Sequence, residues 1–343
     1  MRRLIWLAAL SLGSASPAAV AAGRVKPLFA EDAPIEVTIS GPIREIVRTA
    51  ARSTDPHPAT LEARGETLPI ELSARGISRR TESCEFPPLR VAFAPKPADG
   101  SLFEGQHKLK LVDHCRDTNQ FEQLTLREYV AYRLYQILTP ESFKVRLARV
   151  TYVDGDRQVT QRWGFFVEDI DDTSKRMGGK EISVPSLPST ALLPEAAARV
   201  ALFQYLIGNA DWAMIAGPKG RDCCHNSKLV GATEEARTSI TPVPYDFDIT
   251  GLVDPPYAAP APQMRISSVR SRRYWGFCRD SDELLRRVPS FIAARPAMEA
   301  EIAGTPGLDD RSRKDLVAYL GGFFEDVATP ERIEKKLLRD CRN

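Results

Sequence analysis

The sequence predicts an α+β protein in two parts, a β-rich N-terminal lobe followed by a mainly helical C-terminal lobe. Three observations carry this. Short alternating runs rich in β-branched residues recur from Ile35 to Val112, punctuated by Pro and Gly. Helical periodicity takes over at 124–138 and 194–207 and returns beyond 281. Between the helices, residues 205–254 carry Asn and Asp at the ends of a helix and of short strands. With 343 residues the chain can form one large domain or two lobes sharing a cleft.

Residues 1–22 stand apart from this fold. Arg2 and Arg3 precede a short apolar core at 4–12, and small residues follow as far as Gly23. That is the pattern of a secretory signal peptide cleaved near Ala21 or Ala22, and it predicts a periplasmic or secreted protein. The apolar core is too short to anchor the chain in a bilayer, and no later stretch is apolar for long enough to do so. An even set of cysteines in an exported chain, Cys84, Cys115, Cys223, Cys224, Cys278 and Cys341, predicts disulfides. Cys223 and Cys224 are adjacent and poorly placed to bond each other, because disulfide geometry favours a wider Cα separation, and each could instead reach a distant partner. The run Cys223-Cys224-His225 lacks the gap of a zinc knuckle. A formal charge of +2 offers no argument for nucleic acid or an anionic membrane as partner.

The N-terminal region, 23–170, begins with a lead-in at 24–33 and then strands at 35–39, 59–63 and 68–72. The basic stretch 76–80 reads as a solvated turn. Strands at 89–93 and 107–112 pair across the turn-rich loop 96–106. Lys108 and Lys110 share one face of the second strand; facing inward they would need an anion, facing outward they are ordinary surface residues. Leu126, Val130, Leu134 and Ile137 mark the helix 124–138, which ends at Thr139-Pro140 and carries Glu128 in its first turns. Strands at 145–153 and 163–169 follow, with a hairpin turn at Gly155 and an acidic corner at 168–172.

The C-terminal region, 171–343, opens with a polar loop at 173–193. Pro194 suits the first turn of the helix 194–207, which delivers Asn209 and Asp211. Asn226 opens a short strand, and Asp246 and Asp248 close another. The Pro/Ala-rich stretch 253–262 reads as a loop over a cleft, 265–273 is basic, and helices at 281–293 and 311–326 complete the chain.

The order strand lysine, helix glutamate, helix, Asp, Asn-strand, strand-Asp resembles the atypical kinases. It resembles the spore-coat CotH-like group in particular and the HipA-like and phosphoinositide-kinase-like groups more distantly, and the chain also resembles a set of exported bacterial proteins of unassigned function. The likeness rests on residues 108–112, 128–134, 163–172, 208–211, 225–226 and 245–248. It implies a two-lobed kinase-like fold that transfers a phosphoryl group from ATP and Mg²⁺ to a protein or small-molecule hydroxyl. By this resemblance Lys110 holds the nucleotide phosphates, with Lys108 as the substitute lysine, and Glu128 orients it. Asp211 acts on the acceptor hydroxyl, while Asn226 with Asp246 or Asp248 binds Mg²⁺. Asp211 and Asn226 stand 15 positions apart, against about five in the protein-kinase catalytic loop, so an insertion must fold out of the way. Two other readings remain: a non-catalytic binding module on the same scaffold, and a metal-dependent hydrolase using Asp211, Asp246 and Asp248. Zinc fits poorly, because none of the four histidines forms a ligand pair at helical spacing.

Overall fold

A computed structural model describes residues 23–343; the signal peptide expected over 1–22 lies outside the described residues. The first half rolls into a closed barrel of seven strands: β1 (Ile35–Ser40), β2 (His57–Ala63), β3 (Glu66–Ala74), β4 (Leu89–Phe93), β5 (Lys108–Val112), β6 (Val145–Asp154) and β7 (Arg157–Val167). Their spatial order is β1-β2-β3-β4-β5-β7-β6. Parallel pairing of β1 with β6, from Ile35↔Ala148 to Ser40↔Val153, closes the ring. The two-residue period explains which side faces in: Ile35, Val37 and Ile39 are buried, as are Leu89, Val91 and Phe93, and Leu109 and Leu111. The same period turns Arg90, Lys108 and Lys110 to the outer face. Arg90 and Lys110 are direct cross-strand partners there.

A single α-helix, α1 (Ile43–Thr49), interrupts the barrel early, and a second, α2 (Asn119–Leu138), lies against β6 and β7. The helix α2 starts at Asn119 rather than 124, because the Thr118 hydroxyl accepts from Phe121 N at 3.4 Å and caps its first turn. Such a cap contributes about 1 kcal/mol. The second half contains α3 (Ile170–Arg176), β8 (Lys180–Ile182), α4 (Pro194–Ile207), β9 (Ser227–Gly231), β10 (Thr241–Pro244), α5 (Ser281–Gly304), α6 (Asp310–Asp326) and α7 (Pro330–Lys336). The protein is thus α+β, with a barrel half and a helical half. One apolar core fills the barrel; another gathers α2, α4, α5 and α6.

Three expectations are corrected. The strand expected at 163–169 begins at Arg157, immediately past the hairpin turn, and stops at Val167, because Asp169 caps α3 by accepting from Asp171 N at 3.0 Å. The polar loop expected at 173–193 contains part of α3 and all of β8, which exists only through its pairing with β9. Cys223 and Cys224 bond each other. The bridges Cys84–Cys115 and Cys278–Cys341 take up the other four cysteines, so neither has a distant partner. Among the described residues, no helix is long and apolar enough to cross a membrane.

Helix α4 runs through the middle of the second half and is buried on nearly every side. It ends at Gly208, whose φ of +63° is left-handed. An added Cβ at Gly208 would run into the Tyr319 hydroxyl of α6. Gly208→Ala is therefore expected to lower stability in urea denaturation by about 1–3 kcal/mol, combining the left-handed backbone penalty with overpacking.

Candidate functional site

Between the two halves lies a cleft of about 750 Å³. Its barrel side presents Arg75, Arg79 and Lys110; its other side presents Asp211, His225, Asn226, Tyr245, Asp246 and Asp248. Five residues singled out in the sequence, Lys110, Asp211, Asn226, Asp246 and Asp248, thus line one cavity. Lys108 does not. It is exposed and lines a smaller neighbouring pocket of about 200 Å³.

Asp211 is positioned by the turn after α4. The Asn209 side-chain oxygen accepts from Asp211 N at 2.8 Å, and the buried Trp212 indole donates to Asn209 O at 3.1 Å. The 15 positions to Asn226 are spanned by a loop whose neck is a two-way backbone pair: Ala213 N donates to His225 O at 2.9 Å, and His225 N donates to Ala213 O at 3.1 Å. The excursion, with Cys223–Cys224 at its return, folds out along the cleft rim. Asn226 thereby reaches back to Asp211, donating to its backbone oxygen at 2.7 Å and its Oδ2 at 3.1 Å. His225 Nε2 lies 2.6 Å from Asp211 Oδ1, and this hydrogen bond raises the imidazole pKa above its ordinary value.

Asn226 and Asp246 both have left-handed backbones, with φ of +49° and +63°. Asn and Asp tolerate this region better than other non-glycine residues. Asp246 N donates to the Tyr132 hydroxyl of α2 at 2.8 Å, and Tyr245 N donates to Asn226 O at 3.1 Å. The run Asp246-Phe247-Asp248 splits its residues: Phe247 enters the helical core, Asp246 faces the cleft partly exposed, and Asp248 is buried.

Glu128 does not reach Lys110. Its carboxylate accepts from Arg79 Nη1 at 3.2 Å, and Arg79 Nε lies 3.9 Å from Asp248 Oδ2. Arg79 Nη2 also donates to Asp113 O at 3.1 Å. The stretch expected to be a solvated turn therefore plants a buried guanidinium behind the cleft, held near α2 by the Cys84–Cys115 bridge. Arg79, not Lys110, is the cation paired with Glu128. Burial pulls the Arg79 pKa down, but Tyr257, Glu128, Asp248 and Asp113 outweigh it and keep the cation firmly charged. Burial pushes Glu128 and Asp248 upward; Arg79 opposes both, while Asp248 repels Glu128 and Asp246 repels Asp248. Arg79 was not legible as a site residue in the sequence, and His225 entered only within the 225–226 likeness, with no role given to it.

Lys110 is the unusual cation. Its ammonium sits 4.4 Å from the Tyr245 ring centroid and has no carboxylate ion-pair partner among the described residues. Burial, then Arg75, pulls its pKa down to about 8, with Asp246 opposing. For a divalent ion, Asp246 and Asn226 offer one carboxylate and one amide oxygen, the sparse protein donor set that magnesium accepts when phosphates and waters complete its shell. Asp248 is turned to Arg79 and fits that role less well than Asp246. Among the described residues no three His, Cys, Asp or Glu side chains form a metal-ligand cluster, which leaves an all-carboxylate metal site unsupported.

No protein-family model matches the chain, and no curated protein is detectably similar to it in sequence.

The half-buried Lys110 cation predicts a stability profile. The folded protein releases the Lys110 proton near pH 8, while the unfolded chain holds it to about 10.5. The unfolded state binds more protons in that window, so stability rises with pH between those values. Lys110→Met is expected to raise stability at pH 7 by about 1–3 kcal/mol and to flatten the rise, as read by urea denaturation at several pH values.

Proposed function

We propose that the cleft is a kinase-like phosphotransferase site that moves a phosphoryl group from Mg-ATP to the hydroxyl of a protein or small molecule, in an exported protein. The observation that carries this reading is the meeting of Lys110, Asp211, Asn226 and Asp246 in one cleft, with Lys110 unpaired and aimed at the same space. A half-buried cation without a carboxylate ion-pair partner is stabilised by an anion supplied from outside, and a phosphate oxygen meets that need. Export is supported by three disulfides, which persist in oxidising compartments.

In the proposed reaction Asp211 accepts the acceptor hydroxyl proton as that oxygen bonds to the terminal phosphorus. The bond from this phosphorus to its bridging oxygen breaks, and the charge left on the diphosphate is received by Lys110 and Arg75. Asn226 and Asp246 would hold magnesium, which neutralises phosphate charge when bound. His225 and Asn226 fix the Asp211 carboxylate in place. Arg79 takes over Glu128, so the lysine is placed by the Tyr245 ring instead of a helix glutamate.

A second reading has a specific observation behind it. Both carboxylate oxygens of Asp211 are already engaged, by His225 and by Asn226. That suits a scaffold that binds the phosphate ligand without transferring it.

Thermal unfolding of the mature protein with ATP, with and without Mg²⁺, tests the binding site. A magnesium-dependent rise in Tm is expected, and it should be lost in Asp246→Ala; no rise with ATP under either condition would end the proposal. Asp211→Asn then separates the two readings. For a phosphotransferase it should retain the Tm rise while phosphoryl transfer, including slow ATP turnover with water, falls about 10²-fold or more. For the binding module, wild type and variant are equally inactive.

A further inference from the structure

The smaller pocket beside Lys110 has a composition that a triphosphate in the main cleft does not use. It lies where β7 passes into α3 and is lined on the barrel side by Arg90, Lys108 and Lys110. These cations form a compact triangle on the outer face of the sheet. Arg90 and Lys110 are cross-strand partners, and Lys108 is two residues from Lys110 on the same face. Neighbouring strands are about 4.8 Å apart and alternate residues about 7 Å apart, so the three head groups can converge on one anion.

None of the acids of this pocket forms an ion pair with them. Glu168 is held by Arg176 at 2.8 Å and by the Thr173 hydroxyl at 2.9 Å. Glu181 is held by Lys228 at 2.6 Å. Asp169 caps α3 and is the one acid of the pocket without a cation partner among the described residues. Arg90, Lys108 and Lys110 have no ion-pair partner among the described residues, while Glu168, Glu181 and their cations are matched in pairs. Like charges placed across and along a sheet destabilise it unless an anion lies between them.

We infer that the ligand of this site carries a second phosphate group, separate from the phosphates held in the main cleft, and that Arg90 and Lys108 bind it together with the outer side of Lys110. This rests on the phosphate-cleft reading above and deepens it by stating the ligand class: a linear polyphosphate, or a nucleotide phosphorylated a second time on its ribose. The pocket rejects an uncharged group, because burying three cations under an apolar or neutral ring strips their hydration and returns nothing.

Calorimetric titration with three probes tests this: Mg-ATP, a linear polyphosphate, and a ribose-phosphorylated ATP. The double variant Arg90→Ala/Lys108→Ala removes two exposed side chains of the outer face, and Arg48→Ala/Arg52→Ala, exposed elsewhere on the barrel half, controls for lost charge. The wild-type protein is expected to bind at least one of the doubly anionic probes about 10-fold or more tighter than ATP. The pocket variant should lose that advantage, with ATP affinity changed by less than about threefold and the control variant changed for no probe. Sensitivity confined to polyphosphate or to the ribose-phosphorylated nucleotide identifies the source of the second phosphate. If ATP binds in an Asp246-dependent manner but the pocket variant lowers all three probes equally, or none, the inference is overturned and the cleft reading stands. If none of the three binds to wild type, both fall.

Discussion

The guanidinium of Arg79 is buried where three parts of the chain meet, and the geometry of the cleft depends on how its charge is satisfied. One nitrogen donates to Glu128 of α2, another to the backbone oxygen of Asp113 after β5, and the third faces Asp248 after β10. Removing one member of a buried charged set is expensive, on the order of 3–5 kcal/mol, because the remaining charge has nowhere to be solvated. The network therefore clamps the barrel, the long helix and the Asp246-Phe247-Asp248 run in a single arrangement. It also decides which carboxylates are free: Glu128 and Asp248 are committed to structure, and Asp246 is left facing the cavity.

That division sets the character of the site. Arg75, Lys110, Arg90 and Lys108 come from the barrel, and Asp211, Asn226 and Asp246 come from the helical half, which also contributes Arg221 and Lys228 to the lining. Lys110 stands at the junction of cleft and side pocket, where burial and then Arg75 lower its pKa.

Much of the secondary structure was legible in the sequence because it is local. The helix 194–207 is announced by Pro194 at its start and Gly208 at its end, and the strands at 35–39, 89–93 and 107–112 by strict alternation. What was not legible is long-range. Strand β8 is three residues with no pattern of its own and exists because β9 lies beside it. The parallel closure of β1 on β6 joins segments more than a hundred residues apart. The partner of Glu128 was misjudged for the same reason: an arginine 49 positions earlier takes it, and nothing in the local composition of 76–80 marks that arginine as buried.

The amino-acid sequence by itself determined the α+β division of the chain, the residue types available for phosphate and metal chemistry, and their order along it. Period, capping residues and turn residues act over a few positions, so they can be read without a fold. Only the tertiary structure decided which of those residues share a cavity, that Arg79 rather than Lys110 answers Glu128, and that Cys223 and Cys224 bond to each other. It also turned the 15-position reach from Asp211 to Asn226 into a closed loop with a 2.7 Å hydrogen bond at its neck. These outcomes depend on desolvation and on competition for partners, and a charge acquires both only when the rest of the chain has packed around it.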